Sequence, residues 1–474
     1  MLKSVFKFPW PDQSKVSKGA FEIAKELRGK GFDALFAGGA VRDVFLKRPI
    51  GEIDIATSAK PEQVEKLFER TIPTGKKHGT ITVRLNKVNY EVTTFRLEGP
   101  YESYRRPIKV KFVRTAEQDA SRRDFTVNAL FYDPATKEIL DYVNGIADIS
   151  HKKVRFVGTA EDRIREDALR MMRAVRFATV LDFALEPKSR KAIQKNANLI
   201  KKISAERIKL ELDKIVSSEK SSIGIGLLNV VGLLKNILFE LQAGQGVKQP
   251  RNQHAEGDVY SHSLLALEKT DESYDLSTRY AVLFHDLGKP ETAKIRGGKI
   301  TFYGHPEVGA GIALRICQRL KFSRQETDKI AWLVRNHMVP NDFPNMRLST
   351  RRKWGFNPHF ADLLKVYKAD AEASLSPSGK GHNNTRGYRE GLKILKEVSA
   401  MPELKKPIVS GDDVMRILRL KPGPSVGKIL GILEEKKLAN ELRTKKEALL
   451  YLKNNKKKLI RLDFVKILAD ELDK

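Results

Sequence analysis

The sequence has almost no cysteine and no long apolar run. Its one cysteine, Cys317, cannot form a disulfide within the chain, which excludes a disulfide-stapled fold and is typical of a reducing compartment. No uninterrupted apolar segment reaches the ~20 residues of a membrane-spanning helix. The first segment has Pro11 and Asp12 where the apolar core of a secretory signal would continue. We therefore expect a soluble, cytoplasmic protein without a membrane partner, with Cys317 in a helix core.

Acidic residues are scarce relative to basic ones. The 474 residues include 88 Lys and Arg but only 59 Asp and Glu, which gives a formal charge of +29 at pH 7. Basic side chains that neutralise phosphates release counterions, so this excess favours a nucleic acid as partner over a simple gain in solubility. No segment indicates an obligatory protein partner. A chain of this length is expected to form several domains rather than one core.

Two hydrophobic patterns divide the chain. The N-terminal part contains short β-branched runs that predict strands, in FDALFAGG, EIDIAT, TITVRL, YEVTTFR, KVKFVR and TVNALFYD. After Gly158 the pattern changes to amphipathic helices, and we expect no further strong strand. The first helical stripe consists of Ile164, Ala168, Met171, Val175 and Ala178. The predicted fold class is therefore α+β, with a mixed-sheet head followed by helices.

Polar, glycine-rich breaks set the predicted domain boundaries. The segments AGQGVKQPRNQHAEGD and SLSPSGKGHNNTRG interrupt the helical part. We predict a head at 1–157, a helical neck at 158–245, a second helical domain at 255–380 and a basic helical tail at 400–474.

The segment FAGGAVRD places a Gly-Gly turn between an apolar strand and a helix. Gly38 and Gly39 let backbone N–H groups approach an anion, the helix N-terminus adds partial positive charge, and Arg42 can bind phosphate oxygens with its forked guanidinium. An ordinary strand-to-helix turn has the same pattern. The turn is a candidate triphosphate site.

Paired acids follow in EIDIAT. Glu52 and Asp54 are two positions apart on a predicted strand and so share a face, where two carboxylates repel unless a cation lies between them. Glu91, in the strand NYEVTTF, is the candidate third ligand. A solvated edge strand would also carry scattered acids. The Gly-Gly turn just upstream favours a Mg²⁺ site, because Mg²⁺ in phosphoryl transfer activates the attacking hydroxyl and stabilises the leaving oxygen.

Two later segments carry side chains for a nucleotide. In SRRDFTVNAL, Arg123 and Asp124 flank a strand, where they would hold a triphosphate and ribose or form a surface salt-bridge cluster. The segment REDALRMMRAVRF predicts a single helix on which Asp167, Arg170 and Ala174 share a face.

That helix suggests a way to select the base. Asp167 accepts hydrogen bonds and Arg170 donates them, and cytosine and adenine both present an amino donor beside a ring-nitrogen acceptor. Uracil and guanine present a carbonyl instead of the amino group. Arg173 and Arg176 follow at helical spacing. An ion pair on an exposed helix is the alternative interpretation.

Taken in order, GGAVRD, EIDIAT, RRDFTVNA and EDALR resemble the class II tRNA nucleotidyltransferases and the bacterial poly(A) polymerases of the polymerase-beta superfamily. The resemblance spans roughly the first half of the chain, including LDYVNGIADI and SAERIKLEL. It implies a polymerase-beta-like head in which Glu52 and Asp54 hold catalytic Mg²⁺. One departure is Glu52, where the family usually has Asp, and its extra methylene moves the carboxylate.

The same resemblance assigns roles to the remaining motif residues. Those that contact the nucleotide would be Gly39 and Arg42 in the triphosphate loop, Arg123, the base-templating pair Asp167 and Arg170, and the assisting Arg173 and Arg176.

Histidines and acids recur in the second half in an order that resembles the HD phosphohydrolases. The matching positions are His262 in VYSHSLL, His285 and Asp286 in AVLFHDLGK, His305 in YGHPEVG, His337 in VRNHM and Asp370 in YKADAE. On that likeness His262, His285, Asp286 and Asp370 bind a divalent transition metal, which suits imidazole and carboxylate ligands. His305 and His337 would contact phosphate or a second metal. Some bacterial tRNA nucleotidyltransferases carry such a domain.

The resemblance favours addition of CCA to the tRNA 3′ end from CTP and ATP. The alternatives are a poly(A) polymerase, an enzyme that adds only A, and an HD hydrolase whose head merely binds RNA. The segment LEGPYESYRRPIKVKF resembles the flexible loop of enzymes that switch from CTP to ATP, which argues against CC-only addition. We expect tRNA to be bound through its shape and phosphates.

Overall fold

The computed structural model describes residues 4–99, 101–102, 106–107, 110–250, 254–378 and 386–460, with the backbone alone at 101–102 and 106–107. The segment LEGPYESYRRPIKVKF thus lies partly outside the described residues. None of the helices in these ranges combines the length and apolar character needed to cross a bilayer. The chain divides into two compact units, of which the first ends at Gln242 and also includes Ile316–Phe322.

The first unit begins with the sheet-containing head. Its strands are β1 (Ser4–Lys7), β2 (Ala34–Ala37), β3 (Asp54–Thr57), β4 (Thr71–Gly75), β5 (Thr80–Leu85), β6 (Val88–Thr94), β7 (Arg96–Glu98), β8 (Tyr101–Glu102), β9 (Arg106–Pro107), β10 (Val110–Phe112), β11 (Leu130–Asp133), β12 (Glu138–Asp141), β13 (Lys153–Val154) and β14 (Ala184–Leu185). Among the described residues, eight strands form one sheet in the order β1-β12-β11-β2-β3-β6-β5-β4. The pair β3 and β6 is parallel and the other neighbours are antiparallel, so the predicted mixed sheet is confirmed.

Helices of the first unit cover the sheet and continue into the neck region. They are α1 (Lys15–Gly29), α2 (Gly39–Phe45), α3 (Pro61–Leu67), α4 (Ala116–Ser121), α5 (Gly145–Ser150), α6 (Ala160–Glu166), α7 (Arg170–Leu181), α8 (Pro187–Asn196), α9 (Ala205–Val216), α10 (Ser221–Val230), α11 (Leu234–Ile237) and α12 (Phe239–Gln242). The stripe of apolar residues from Ile164 to Ala178 is buried as predicted. Helix α7 packs against α9 and α10, and this contact explains why the stripe is apolar.

The second unit is almost entirely helical. Its elements are α13 (Val259–Glu268), α14 (Leu276–Phe284), α15 (Lys289–Thr292), β15 (Lys294–Arg296), β16 (Lys299–Thr301), α16 (His305–Arg319), α17 (Arg324–Asn336), α18 (Val339–Asp342), α19 (Leu348–Gly355), α20 (Phe360–Ala373), α21 (Arg386–Ala400), α22 (Gly411–Leu418), α23 (Pro424–Leu438) and α24 (Lys445–Asn454). Helices α22 to α24 enclose a small apolar core that includes Val414, Ile429 and Leu452. Cys317, in the last part of α16, which belongs to the first unit, is buried, as expected of a core residue.

After Gly158 the described residues include the short strands β14, β15 and β16, each of two or three residues, where no strong strand was expected. Two predicted strand boundaries are wrong. The strand predicted from EIDIAT begins only at Asp54, which leaves Glu52 before it. Residues Thr126–Asn128 form a 3-10 turn, so the strand predicted from TVNALFYD begins at Leu130.

The single helix predicted from REDALRMMRAVRF is also wrong. Helix α6 ends at Glu166, and Asp167 has the extended torsion angles φ −141° and ψ 104° before α7 begins at Arg170. The Asp167 carboxylate accepts a hydrogen bond from Leu169 N at 3.1 Å. Such local side-chain bonds compete with the helix, which is why Asp is favoured at helix ends. Asp167 therefore does not share a helical face with Arg170 and Ala174.

Candidate active site and metal centre

One cleft in the first unit brings together every head and neck residue predicted to act on a nucleotide. Its volume is about 1630 Å³. The predicted residues that line it are Gly38, Gly39, Arg42, Glu52, Asp54, Glu91, Arg123, Asp124, Asp167, Arg170, Arg173 and Arg176. Residues that are distant in sequence thus meet at one concave surface, as a binding site requires.

Two of the three carboxylates lie on neighbouring strands of the sheet, and the third lies just before one of them. Asp54 opens β3, Glu91 lies on the parallel neighbour β6, and Ile55 is paired with Val92, the residue after Glu91. Burial among cleft groups and the negative charges of Glu91 and Glu52 raise the pKa of Asp54 to about 6. Mutual repulsion of this kind is relieved by a divalent cation. Although Glu52 precedes the strand, it lines the same cleft.

The Gly-Gly turn has the backbone that its sequence predicts. Gly38 has a φ of 73°, in the region that favours glycine, and helix α2 begins at Gly39. A side chain at position 38 would also crowd the guanidinium of Arg123, because an added Cβ would lie 3.2 Å from Arg123 Nη1. The turn and this arginine are thus packed against each other.

Arg42 is held by polar partners at the start of α2. Its Nε and Nη2 each donate to the Asp43 carboxylate at 2.9 Å, and its Nη1 donates to Asn128 Oδ1. The guanidinium is therefore fixed in place while it lines the cleft.

The buried Asp119 orients two arginines that line the cleft. It is 1% exposed and accepts hydrogen bonds from Arg122 Nε at 2.8 Å and from Arg123 Nη2 at 3.0 Å. Although burial opposes ionisation, Arg123 and Arg122 hold the pKa of Asp119 below its ordinary value. Asp119 was not among the residues predicted from the sequence. Its spacing of three and four residues from two arginines on a helix was the available signal.

The part of the cleft around Asp167 holds an ion pair that was not predicted from the sequence. Arg207 on α9 donates from Nη2 to Asp167 Oδ2 at 2.7 Å and from Nη1 to Oδ1 at 3.3 Å. Arg170 instead bonds to Glu166, and its Nη2 lies 3.8 Å from Glu98 Oε2. Asp167 and Arg170 thus line the same cleft, but each is held by a different partner.

The other two predicted arginines also have specific acidic partners. Arg173 Nε donates to Asp124 Oδ2 at 2.7 Å, and Arg176 Nη1 lies 3.2 Å from Glu211 Oε2. The Phe177 ring lies under Arg176, whose Cζ is 4.1 Å from the ring centroid. Asp124 is therefore a partner of Arg173, which orients it, as well as a lining residue. Phe177 and Glu211 were not identified from the sequence.

The second unit gathers all six predicted HD residues at one buried centre. His262 lies on α13, His285 and Asp286 follow α14, and Asp370 lies on α20. His262 Nε2 is 3.2 Å from His285 Nε2 and 3.0 Å from Asp370 Oδ1. His285 Nε2 is 3.3 Å from Asp286 Oδ2. Four ligand atoms from three helical regions thus converge, as a metal ion requires.

Asp286 connects this group to the other two histidines. Its Oδ1 lies 3.5 Å from His305 Nε2 and 3.9 Å from His337 Nε2, and these two nitrogens are 3.2 Å apart. Burial and the neighbouring His285 and His305 lower the pKa of His337 to about 3, so this ring is neutral, the form that ligates metals. Asp286, Asp370 and their hydrogen bonds raise the pKa of buried His285 above its ordinary value.

The orientation of each imidazole is set by its outer nitrogen. The Nδ1 atoms of His285, His305 and His337 lie 2.7, 2.9 and 2.7 Å from the backbone oxygens of Val282, Phe302 and Val334. In each case Nε2 is left to face the centre. Metal-ligating histidines show this arrangement almost always.

His262 is oriented by a carboxylate that the sequence analysis missed. Its Nδ1 lies 2.8 Å from Glu256 Oε1, and Leu375 N donates to Glu256 Oε2 at 2.8 Å. Lys289 Nζ, also missed, lies 2.6 Å from Asp286 Oδ2.

Comparison with known proteins places these sites in context. A model described as "Poly A polymerase head domain" matches residues 34–155, and a model described as "HD domain" matches residues 259–359. A CCA-adding enzyme of Streptococcus uberis is 48% identical over 206 residues, which are 44% of this chain and about half, 51%, of that protein. A CCA-adding enzyme of Lactococcus lactis subsp. cremoris is 33% identical over 432 residues, 90% of this chain and 94% of that protein.

The chain belongs to the family of CCA-adding enzymes. Members of this family are nucleotidyltransferases, so the predicted enzyme class and the α+β fold class are confirmed. The crystal structure of the Bacillus stearothermophilus CCA-adding enzyme in complex with CTP is 28% identical, covers 95% of this chain and all of that chain, and has a TM-score of 0.72.

Proposed function

We propose that this chain adds CCA to the 3′ end of tRNA from CTP and ATP, without a nucleic-acid template. The observation that carries the proposal is the cleft in which a carboxylate triad, a Gly-Gly turn and a pair of base-facing side chains meet. The similarity over nine-tenths of the chain to a CCA-adding enzyme supports it. We further propose a cytoplasmic location and the four domains expected from the sequence, with the basic neck and tail as the tRNA platform.

The carboxylates Glu52, Asp54 and Glu91 fit Mg²⁺, because their negative charges face one another and raise the pKa of Asp54. When bound, Mg²⁺ would help ionise the tRNA 3′ hydroxyl and stabilise the developing charge on the triphosphate. The backbone N–H group at Gly39 and the guanidinium of Arg123 would bind the triphosphate, whereas the Gly38 N–H already donates to Leu130 O at 3.1 Å. Catalysis would then rest on positioning and charge neutralisation.

Base selection would depend on Asp167 and Arg170. Asp167 accepts a hydrogen bond from the amino group of cytosine or adenine, and Arg170 donates to the adjacent ring nitrogen. A carbonyl at the amino position, as in uracil, would face the Asp167 carboxylate and be repelled. A hydrogen bond to a charged group contributes about 1.5 to 3 kcal/mol. Two such contacts therefore suffice to favour cytosine or adenine over uracil by a factor of about 100 or more.

A second activity is favoured by the buried His–Asp centre. His262, His285, Asp286 and Asp370 would hold a divalent transition metal, and His305 and His337 would hold phosphate or a second metal. Their donor atoms fit such an ion because each histidine has its Nδ1 engaged and its Nε2 turned inward. We propose phosphohydrolase activity at this centre.

Two matched variants separate the activities. Asp54→Asn should lower CTP incorporation into a tRNA transcript that lacks CCA by at least about a hundredfold. The hydrolysis of a phosphoester at the His–Asp centre should remain. Asp286→Asn should do the reverse. If Asp286→Asn abolishes incorporation while Asp54→Asn does not, the assignment of the two sites is wrong.

A further inference from the structure

A projecting β-hairpin joins the two halves of the His–Asp centre. Strands β15 and β16 pair Lys294 with Thr301 and Arg296 with Lys299. Gly297 and Gly298 form the turn with φ angles of 54° and 73°. The chain thus leaves the centre after Asp286, turns in solvent, and returns to the centre at His305.

The two ends of this excursion are held together at its base. Gly288 packs so closely against His305 that an added Cβ would overlap the His305 carbonyl oxygen and approach Gly309 N to 2.7 Å. Phe302, at the end of the hairpin, lies against Lys289, whose Nζ is 5.4 Å from the ring centroid. Lys289 in turn contacts Asp286. The base of the hairpin is therefore fixed beside the candidate metal ligands.

We name residues 294–303 the basic hairpin. Lys294, Arg296 and Lys299 are exposed, and none of them lies within ion-pair distance of an acid in the described part of the chain. Ile295 and Tyr303 are 79% and 75% exposed. The sequence from 292 to 306 contains no Asp or Glu. Cations and large apolar side chains are thus exposed on the same hairpin.

Solubility alone accounts for the cations but not for Ile295 and Tyr303, because exposed apolar surface raises the free energy of the solvated protein. The combination suits single-stranded nucleic acid, in which phosphates pair with cations and bases stack on aromatic rings. The Arg296 guanidinium lies 5.4 Å from the centroid of the Tyr303 ring, so a cation and a stacking surface are adjacent.

We propose that the basic hairpin binds the single-stranded 3′ end of an RNA and directs its terminal phosphoester to the His–Asp centre. The inference rests on the proposed phosphohydrolase function and narrows its substrate class to oligoribonucleotide ends rather than free mononucleotides. In the reaction, a water oxygen forms a bond to phosphorus, the ester P–O bond breaks, and the released ribose oxygen takes a proton.

The test compares two substrates of the full-length protein: a cyclic 2′,3′-phosphate mononucleotide and an oligoribonucleotide of about ten residues with the same terminus. A hairpin variant carries Lys294→Gln, Arg296→Gln and Lys299→Gln. A control variant removes the same charge from exposed positions of helices α19 and α21, through Lys353→Gln, Arg389→Gln and Lys396→Gln.

The hairpin variant should lose at least tenfold in kcat/KM on the oligoribonucleotide and less than twofold on the mononucleotide. The dependence of log kcat/KM on log salt should become shallower by about 2, because each contact of a cation with a single-strand phosphate contributes about 0.7. Tyr303→Ala should lower only the oligoribonucleotide rate, and the control variant should change neither. Equal losses on both substrates, or no loss on either, would overturn the proposal.

Failure of the hydrolase function itself is distinguishable. If the unaltered protein opens the cyclic phosphate of neither substrate, photocrosslinking with an oligoribonucleotide that carries 4-thiouridine near its 3′ end still tests the hairpin. Crosslinks at Tyr303 that disappear in the hairpin variant support RNA binding there. Crosslinks confined to other segments contradict it.

Discussion

Arg207 holds the carboxylate of Asp167 with both of its terminal nitrogens, at 2.7 and 3.3 Å. The two residues are 40 positions apart, and Asp167 lies in the break between α6 and α7 while Arg207 lies on α9. The same carboxylate accepts a bond from Leu169 N. These bonds fix the orientation of the group that we propose to recognise the amino group of the incoming base.

Removal of Arg207 is expected to damage base selection more than addition itself. Arg207→Ala should reduce the preference for CTP over UTP, measured as the ratio of kcat/KM values, by about tenfold or more, because a charge-assisted hydrogen bond contributes about 1.5 to 3 kcal/mol. Arg84→Ala is the matched control, since Arg84 is exposed on β5. A proportional loss with both nucleotides would show that Arg207 acts only on the stability of the fold.

Asp54→Asn is expected to stabilise the protein in the absence of divalent metal. The folded pKa of Asp54 is about 6, above its ordinary 3.8, so folding takes up a proton between these values. The contribution of Asp54 to the free energy of unfolding is therefore fully present below about pH 4 and is lost as the pH rises through 6. At pH 8 the loss is complete. With EDTA at pH 8, Asp54→Asn should have a higher Tm than the unaltered protein.

The gain from Asp54→Asn should shrink as the pH falls below 6 and disappear below the ordinary pKa of 3.8, where the carboxyl is protonated in both states. Mg²⁺ at pH 8 should raise the Tm of the unaltered protein and leave that of the variant nearly unchanged. Asp162→Asn, on an exposed position of α6, controls for loss of a charge. A Tm of Asp54→Asn that is lower at pH 8 without metal would contradict the carboxylate cluster.

Glu256→Gln is expected to weaken metal binding at the His–Asp centre. Although burial opposes ionisation, hydrogen bonds from His254, His262 and Leu375 N lower the pKa of Glu256 to about 2, so it accepts from His262 as a carboxylate. Loss of such an outer partner typically lowers metal affinity about 10 to 100-fold. Titration calorimetry with Zn²⁺ and with Mn²⁺ measures the affinity of the protein for each metal.

Glu268→Gln, at the exposed end of the same helix as His262, is the control for Glu256→Gln. Nucleotide addition to tRNA should be unaffected in both variants. Unchanged metal affinity in Glu256→Gln would remove Glu256 from the description of the centre.

The sequence predicted residues that the structure brings together in the cleft and at the His–Asp centre, but it did not predict the residues with which they pair. Short motifs located the carboxylates and the histidines, because few residue types serve metal chemistry and their order along the chain is distinctive. Arg207 and Glu256 were missed because each acts through one long-range contact that leaves no local pattern. Asp119 did have a helical spacing to Arg122 and Arg123, so this orienting acid could have been found from the sequence.

The secondary structure was predicted best where hydrophobic periodicity dominated. The stripe from Ile164 to Ala178 is buried as expected, yet the helix breaks within it at Asp167. The break arises because the Asp167 side chain bonds to Leu169 N and competes with the helical ladder, while apolar spacing continues across the gap. Strand β3 similarly began two residues later than the alternation of Glu52 and Asp54 suggested.

The measurement that tests the central claim most directly is the length of the product on three tRNA transcripts, ending at the discriminator base, at C and at CC. Each transcript is incubated with Mg²⁺ and with labelled CTP and ATP, separately and together. We predict that all three end as CCA and that ATP alone extends only the CC transcript. A growing adenosine tail would show a poly(A) polymerase, addition only to CC ends would show an A-adding enzyme, and either result would contradict CCA addition.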